Sequence, residues 1–254
     1  MTVRSHIARQ GLFIIAYIVT GIVLTASVAV GQIRAGADSL PTLAELHGTW
    51  FNGQFIEELS SSRSLSRAFA RLGTREPLWL RIDSSKGFNR ILVARGRNAT
   101  DTMMLEQMDV RGVGRKWVLG LIEQPTWVLT HDALKRSYVA LTPLDSLARE
   151  PIVLGALPSK NPDPMFILRR MVNASLLSGS WKTPKGQKYV FSNDLTASID
   201  GQRMTYQLSF EGNVPRVRLS TTQGQPRTWT VERNGETLTL MPKNGAALVL
   251  SPEK

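Results

Sequence analysis

The sequence predicts an all-β protein with minor helices: two tandem antiparallel up-and-down β-barrels after an apolar N-terminal helix. Three observations predict it. "LHGTW" at 46–50 returns as "LSGSW" at 177–181, 131 residues later. Each copy then opens a succession of short runs in which apolar and polar residues alternate, the period of a half-buried strand. The links between runs are of hairpin length, so each sheet should meander, and a meander of about eight strands removes its open edges by closing on itself.

The amino terminus stands apart. "MTVRSHIARQG" carries Arg4 and Arg9 and no acid, and "LFIIAYIVTGIVLTASVAV" (12–30) has no charge. Ala35-Gly36-Ala37 then has the small-x-small form of a signal peptidase site. Residues 1–37 therefore read as a signal peptide cleaved after Ala37, or as a membrane anchor, since 19 apolar residues also suffice to span a bilayer. Either reading places the rest of the chain outside the cytoplasm, periplasmic or anchored to the inner membrane and facing the periplasm.

The first barrel is expected over 40–157. A short helix, "LPTLAEL" (40–46), leads into Gly48 and Trp50. An insertion at 55–73 follows, with Leu65, Ala68, Phe69 and Leu72 at helical spacing and Gly73 as a helix-ending residue. It reads as a helix, or two broken at the serines, with Arg63, Arg67 and Arg71 on one face above the barrel mouth. Strands are expected at 77–83, 89–96, 101–110, 115–122, 126–132, 136–143 and 151–157. Thr130-His131-Asp132 reads as a surface turn between two of them.

Residues 158–176 are expected to be a linker and a helix. "PSKNPDP" (158–164) is semi-rigid, and Asp163 and Pro164 suit the N-cap and first turn of a helix running to 177. The second, smaller barrel occupies 177–254. Its runs begin at Trp181 and include 188–192, 196–199, 203–210, 215–221, 227–233, 236–241 and 246–251, with "DG" (200–201) and "NG" (234–235) as type I′ turn candidates.

Gly48 with Trp50, and Gly179 with Trp181, resemble the opening motif of the lipocalin-like (calycin) barrels, whose first strand carries Gly-x-Trp after a short helix. With the Leu two residues before the Gly, about 0.06 chance occurrences are expected in this composition, and two are present. The resemblance implies that each Trp packs across the closed end of its barrel, where the Gly lets backbone approach backbone. It also makes the 55–73 insertion similar in placement to the helical lid of the fatty-acid-binding branch.

Function is less constrained. The chain has no cysteine, so disulfides, thiol catalysis and thiolate metal sites are excluded. Beyond residue 37, where only His47 and His131 remain, no metal site, cofactor site, nucleophile elbow, phosphate loop or carboxylate pair stands at diagnostic spacing, and no enzyme is expected. Net charge is +11, and residues 38–254 hold 28 basic and 20 acidic residues, +8, divided evenly between the barrels. So diffuse an excess favours an anionic membrane surface, polymer or envelope protein, and not nucleic acid. The aromatics offer the best ligand-binding set: Trp79, Trp117 and Trp127 in the first interior, and Tyr189, Phe191, Tyr206 and Trp229 in the second. They read either as core or as the lining of a pocket for a small apolar, lipid-like ligand. The expected function is that of an exported, non-catalytic envelope protein holding such a ligand. Its alternative is a structural or assembly factor acting through protein or anionic-polymer contacts.

Overall fold

The computed structural model describes residues 40–73, 76–86, 91–94, 100–121, 124–131, 138–156, 163–211, 214–220 and 227–253. The expected N-terminal helix and signal sequence, and most of the 158–164 linker, lie outside them. Among the described residues no helix is long and apolar enough to cross a membrane.

The first closed barrel takes its strands in chain order: β1 (Gly48–Asn52), β2 (Trp79–Ile82), β3 (Ile91–Ala94), β4 (Thr100–Val110), β5 (Gly114–Leu121), β6 (Gln124–His131), β7 (Tyr138–Pro143) and β8 (Ile152–Ala156). β8 closes on β1 through Trp50 and Ala156. The second barrel repeats the plan with β9 (Gly179–Lys182), β10 (Lys188–Phe191), β11 (Thr196–Ile199), β12 (Gln202–Glu211), β13 (Val214–Ser220), β14 (Arg227–Asn234), β15 (Thr237–Pro242) and β16 (Leu248–Pro252). Here β16 closes on β9, pairing Pro252 with Trp181. Every pairing is antiparallel, and neither barrel leaves an edge strand.

The repeated pentapeptide is a self-contained device. The Trp50 indole Nε1–H donates to the Leu46 carbonyl at 3.0 Å, and Trp181 does the same to Leu177 at 2.7 Å. Both indoles and both leucines are buried, so the bond is made where an unpaired N–H would be costly. The glycines sit at φ +148° (Gly48) and +138° (Gly179), a region that disfavours any side chain. A Cβ there would touch the following Trp ring only at ordinary contact distance, 3.6–3.9 Å. Backbone conformation, and not close backbone approach, is therefore why the motif needs glycine.

Two residues beyond each Trp the copies diverge. Asn52 is fully buried; its Oδ1 accepts from the amides of Gln54 and Phe55, capping α1 (Gly53–Ser62), while its Nδ2 donates to the Pro77 carbonyl. Thr183, the counterpart, instead accepts from the Gln187 amide and closes a tight turn. α1 ends at Arg63, whose φ of 51° breaks the helix, and Ser64 then caps α2 (Leu65–Arg71). Arg63 thus occupies the break, so Arg67 and Arg71 share the α2 face without it.

By internal contacts the chain divides into two units, one holding Leu72–Pro164 and the chain up to Glu57, the other Glu58–Arg71 with Met165–Lys254. The inserted segment from Glu58 onward therefore groups with the second barrel, where α2 lies against β13, although the chain enters it from the first.

The lead-in segments are shorter or tighter than the sequence predicts. Residues 43–46 form a single turn, in which the Thr42 hydroxyl and the Glu45 carboxylate exchange bonds with each other's backbone amides. The second lead-in is α3 (Pro164–Val172) followed by one π-helical turn over Asn173–Leu177. Of the expected I′ turns, Asp200 and Gly201 both take positive φ as required, whereas at 234–235 only Gly235 does.

Candidate functional site

Both barrel interiors are occupied by their own side chains. In the first, Trp50, Leu80, Ile82, Ile91, Val93, Met103, Leu105, Trp117, Leu119, Trp127, Leu129, Val139, Leu141, Ile152 and Leu154 form one buried cluster, plugged by Leu46 and flanked by Leu40 and Leu43. Cross-strand register makes this unavoidable, since Leu105 pairs with Leu119, Leu119 with Trp127, and Leu129 with Leu141. Alternation places each of those pairs on one face of the sheet.

Trp117 and Trp127 thus face inward as expected, but as packed core members. The Trp117 indole reaches the Pro41 carbonyl at 2.8 Å, tying the lead-in segment over the closed end. Trp79 corrects the expectation. It lies between Phe51 and Ala94 in the ladder, one residue out of phase with the inward Leu80, so it occupies the outer face. It is nonetheless buried, and among the described residues its indole Nε1 has no hydrogen-bond partner.

In the second interior Tyr189, Phe191 and Tyr206 are buried, and Trp229, inward by its pairing with Val217, is half-buried. Their polar atoms are engaged. The Tyr189 hydroxyl donates to Gln187 at 3.0 Å, and the Tyr206 hydroxyl is bonded to Asn173 Oδ1 and to the Ser192 carbonyl. The Asn173 amide also donates to Ser192, so this buried asparagine ties the π-turn to the barrel. Phe191 packs edge-on against Tyr206 at 5.6 Å. Burial pushes both phenols above the ordinary tyrosine range, Tyr206 most.

A closing residue sits over each Trp at matching places. Arg233 holds its guanidinium 4.8 Å from the Trp181 ring centre and donates to the Ser175 and Leu176 carbonyls, each at 3.2 Å. Burial, and secondarily the charge of Arg63, lower its pKa to about 10. In the first barrel His131 sets its ring edge-on to Trp50 at 6.2 Å. His131 is therefore the last residue of β6, packed on the plug, and not part of a surface turn. His47, the other histidine, accepts from the Ser84 amide through Nδ1 at 3.1 Å. Among the described residues no group of three His, Asp or Glu side chains is placed to hold a metal.

The open sites lie elsewhere. At the end of the first barrel opposite Trp50, a pocket of about 350 Å³ has Trp127 and Ile152 at its base and Glu76, Asp145, Arg149 and Glu150 around it. Glu76 Oε2 is buried there without a hydrogen-bond partner among the described residues. On the outer wall, a groove of about 280 Å³ runs over β4, β5 and β6, lined by Met104, Met108, Val118, Gly120, Leu121, Pro125 and Glu106. Its floor is Gly120, where a Cβ would lie 2.5 Å from the Gln124 carbonyl oxygen, so only glycine fits beneath β6. Val110, Val118 and Val128 pack together beside it against Leu144, and Met108, Val113 and Leu121 remain exposed.

The chain matches no protein-family model, no curated protein and no solved structure.

Proposed function

We propose that the chain is a non-catalytic assembly factor of the cell envelope, built from two lipocalin-like barrels and exported by residues 1–37. It acts through its outer walls and not through a ligand carried inside. The observation supporting this is the filled interior: every inward aromatic expected to line a pocket is a core or half-buried packing residue, and Trp117, Tyr189 and Tyr206 have their polar atoms bonded inside the fold. An eight-stranded barrel has room for side chains or for one small ligand, and here side chains take it. The pocket at the open end of the first barrel is poorly suited to an acyl chain, because three carboxylates and a guanidinium surround its apolar base.

The groove over β4–β6 suits an apolar strip of a partner protein. Methionines there adapt to varied shapes, and exposed apolar surface gathered in one place marks contact sites. The test uses the full chain, cross-linked to its partner in envelope extracts. Met108→Lys and Leu121→Glu should abolish a partner that Trp127→Phe, inside the barrel, leaves bound. A lipid co-purifying in native mass spectrometry and lost in Trp127→Phe would instead restore the carrier reading.

A further inference from the structure

We infer that the pocket at the open end of the first barrel is a binding site for an alkylammonium group, a short methylene chain ending in a primary amine. The site stands apart from the groove on β4–β6 and does not depend on it. Its floor belongs to the duplicated frame: Trp127 pairs with Pro143 there, as Trp229 pairs with Pro242 in the second copy. The charges belong to the first copy alone. Asp145, Arg149 and Glu150 lie on the link from β7 to β8, whereas the matching link from β15 to β16 reads "KNGAA" (243–247) and holds no acid. Glu76 follows the helical insertion, which has no counterpart in the second copy.

The volume, about 350 Å³, lies at the lower end of the range for small-ligand sites. Three carboxylates to one guanidinium give the pocket a charge opposite to the +11 of the chain. Glu76 is short of a donor: its Oε2 is buried with no hydrogen-bond partner among the described residues, which is costly for a carboxylate. Its Oε1 lies 2.9 Å from where a Cβ on Gly73 would stand, so the glycine leaves the carboxylate its place in the wall. The last torsion of a glutamate is soft and nearly two-fold, so either oxygen turns readily towards a donor in the pocket. An ammonium brings three donors and a balancing charge, and the methylenes behind it match the floor of Trp127 and Ile152.

Two other ligand classes fit less well. A divalent metal needs oxygen ligands that converge on one point, and among the described residues no three acidic or histidine side chains do so. A fatty acid or an anionic headgroup would bring its charge among three carboxylates.

The test is calorimetric titration of the full-length chain with 1-aminopentane and 1,5-diaminopentane. Both should bind, the diamine about fivefold tighter because its second ammonium meets a second carboxylate. Glu76→Gln should weaken both about tenfold, and Glu150→Gln, exposed at the mouth, about threefold. Arg149→Gln should tighten them, since it removes a like charge. Glu150 and Arg149 are exposed, so melting temperatures of these two variants should stay unchanged and keep the test open if Glu76→Gln fails to fold. Asp109→Asn, an equal loss of charge near the β4–β5 turn, and Met108→Lys on the groove should each change binding less than about twofold. Nα-acetyl-lysine methylamide separates two sources of the group: binding tighter than 1-aminopentane assigns the ammonium to a lysine of a partner protein, and weaker binding assigns it to a free amine. The inference is overturned if neither amine binds at about 10 mM, or if pentanoate binds as tightly as 1-aminopentane. It is overturned equally if Asp109→Asn loses as much as Glu76→Gln, or if norleucine binds more than about tenfold tighter than 1-aminopentane and loses that advantage in Arg149→Gln, the mark of an amino-acid site.

Discussion

Laid over each other at their tryptophans, the two barrels pair their strands almost identically. Trp50 pairs with Leu80 and Ala156 as Trp181 pairs with Tyr189 and Pro252. Ile91 pairs with Met103 as Ala197 pairs with Met204, and Leu105 with Leu119 as Tyr206 with Leu219. From the other direction, Trp127–Pro143 matches Trp229–Pro242, and Val139–Leu154 matches Leu238–Leu250. The ladders disagree between the fifth and sixth strands: Trp117 faces Leu129, but its counterpart Val217 faces Trp229, two residues earlier than the match of Leu129. The first barrel has its bulge in that pairing, at Leu119/Gly120.

What differs is what surrounds this frame. One Trp is covered by a histidine edge, the other by a guanidinium bonded to the lead-in carbonyls. One copy carries Asn52 and two helices where the other has a turn at Thr183. The second copy builds a buried Asn173–Tyr206 tie where the first has Thr42 and Leu105. Register and plug are therefore the shared requirement of closure, while the residue resting on the plug and everything outside it can vary.

The largest predicted effect strikes the shared part. Trp181→Ala should destabilise the second barrel by about 3–5 kcal/mol, and Trp50→Ala should do the same to the first, measured by urea unfolding. Unequal losses would mean that only one tryptophan is a true plug. Gly179→Ala and Gly48→Ala should each cost about 1–3 kcal/mol, because alanine is strained at those φ values. Alanine tolerated at either position would show that backbone conformation does not select the glycine.

Next comes a difference between the copies. Tyr206 is held protonated in the folded state above its ordinary value of 10. Its contribution is thus complete below pH 10 and is lost as pH rises beyond it, because the unfolded chain ionises first. Alkaline titration should melt the second barrel before the first, where Leu105 takes the place of Tyr206. Tyr206→Phe should cost about 1–2 kcal/mol at neutral pH and flatten that alkaline loss. The lowered pKa of Arg233 acts in the opposite sense above pH 10, so the Phe variant isolates the tyrosine. The smallest effect belongs to the outer wall: Leu121→Glu should shift stability by no more than about 0.5 kcal/mol, leaving partner binding as its readout.

The frame was legible because alternation and hairpin turns are local signals. The sixteen strands of the described chain coincide with the expected runs, and Gly-x-Trp marks where each barrel starts. Trp79 lies outside the interior although its phase is written in the sequence: it alternates with Arg81, while Leu80 and Ile82 form the apolar phase. His131 closes an expected run, where nothing local separates a strand end from a turn. Aligning "TWVLTHD" with "TWTVERN" sets it opposite Arg233, and both rest on a tryptophan far away in sequence. That β13 receives α2, or that Gly120 floors a groove, depends on packing between distant segments, which no periodicity encodes.

Hydrogen exchange at the Trp50 and Trp181 indole N–H groups, followed by NMR in the full-length chain, tests the duplicated plug most directly. Both protons should exchange as slowly as core strand amides, since each is buried and bonded to a leucine carbonyl four residues back. Rapid exchange at either indole would contradict the account.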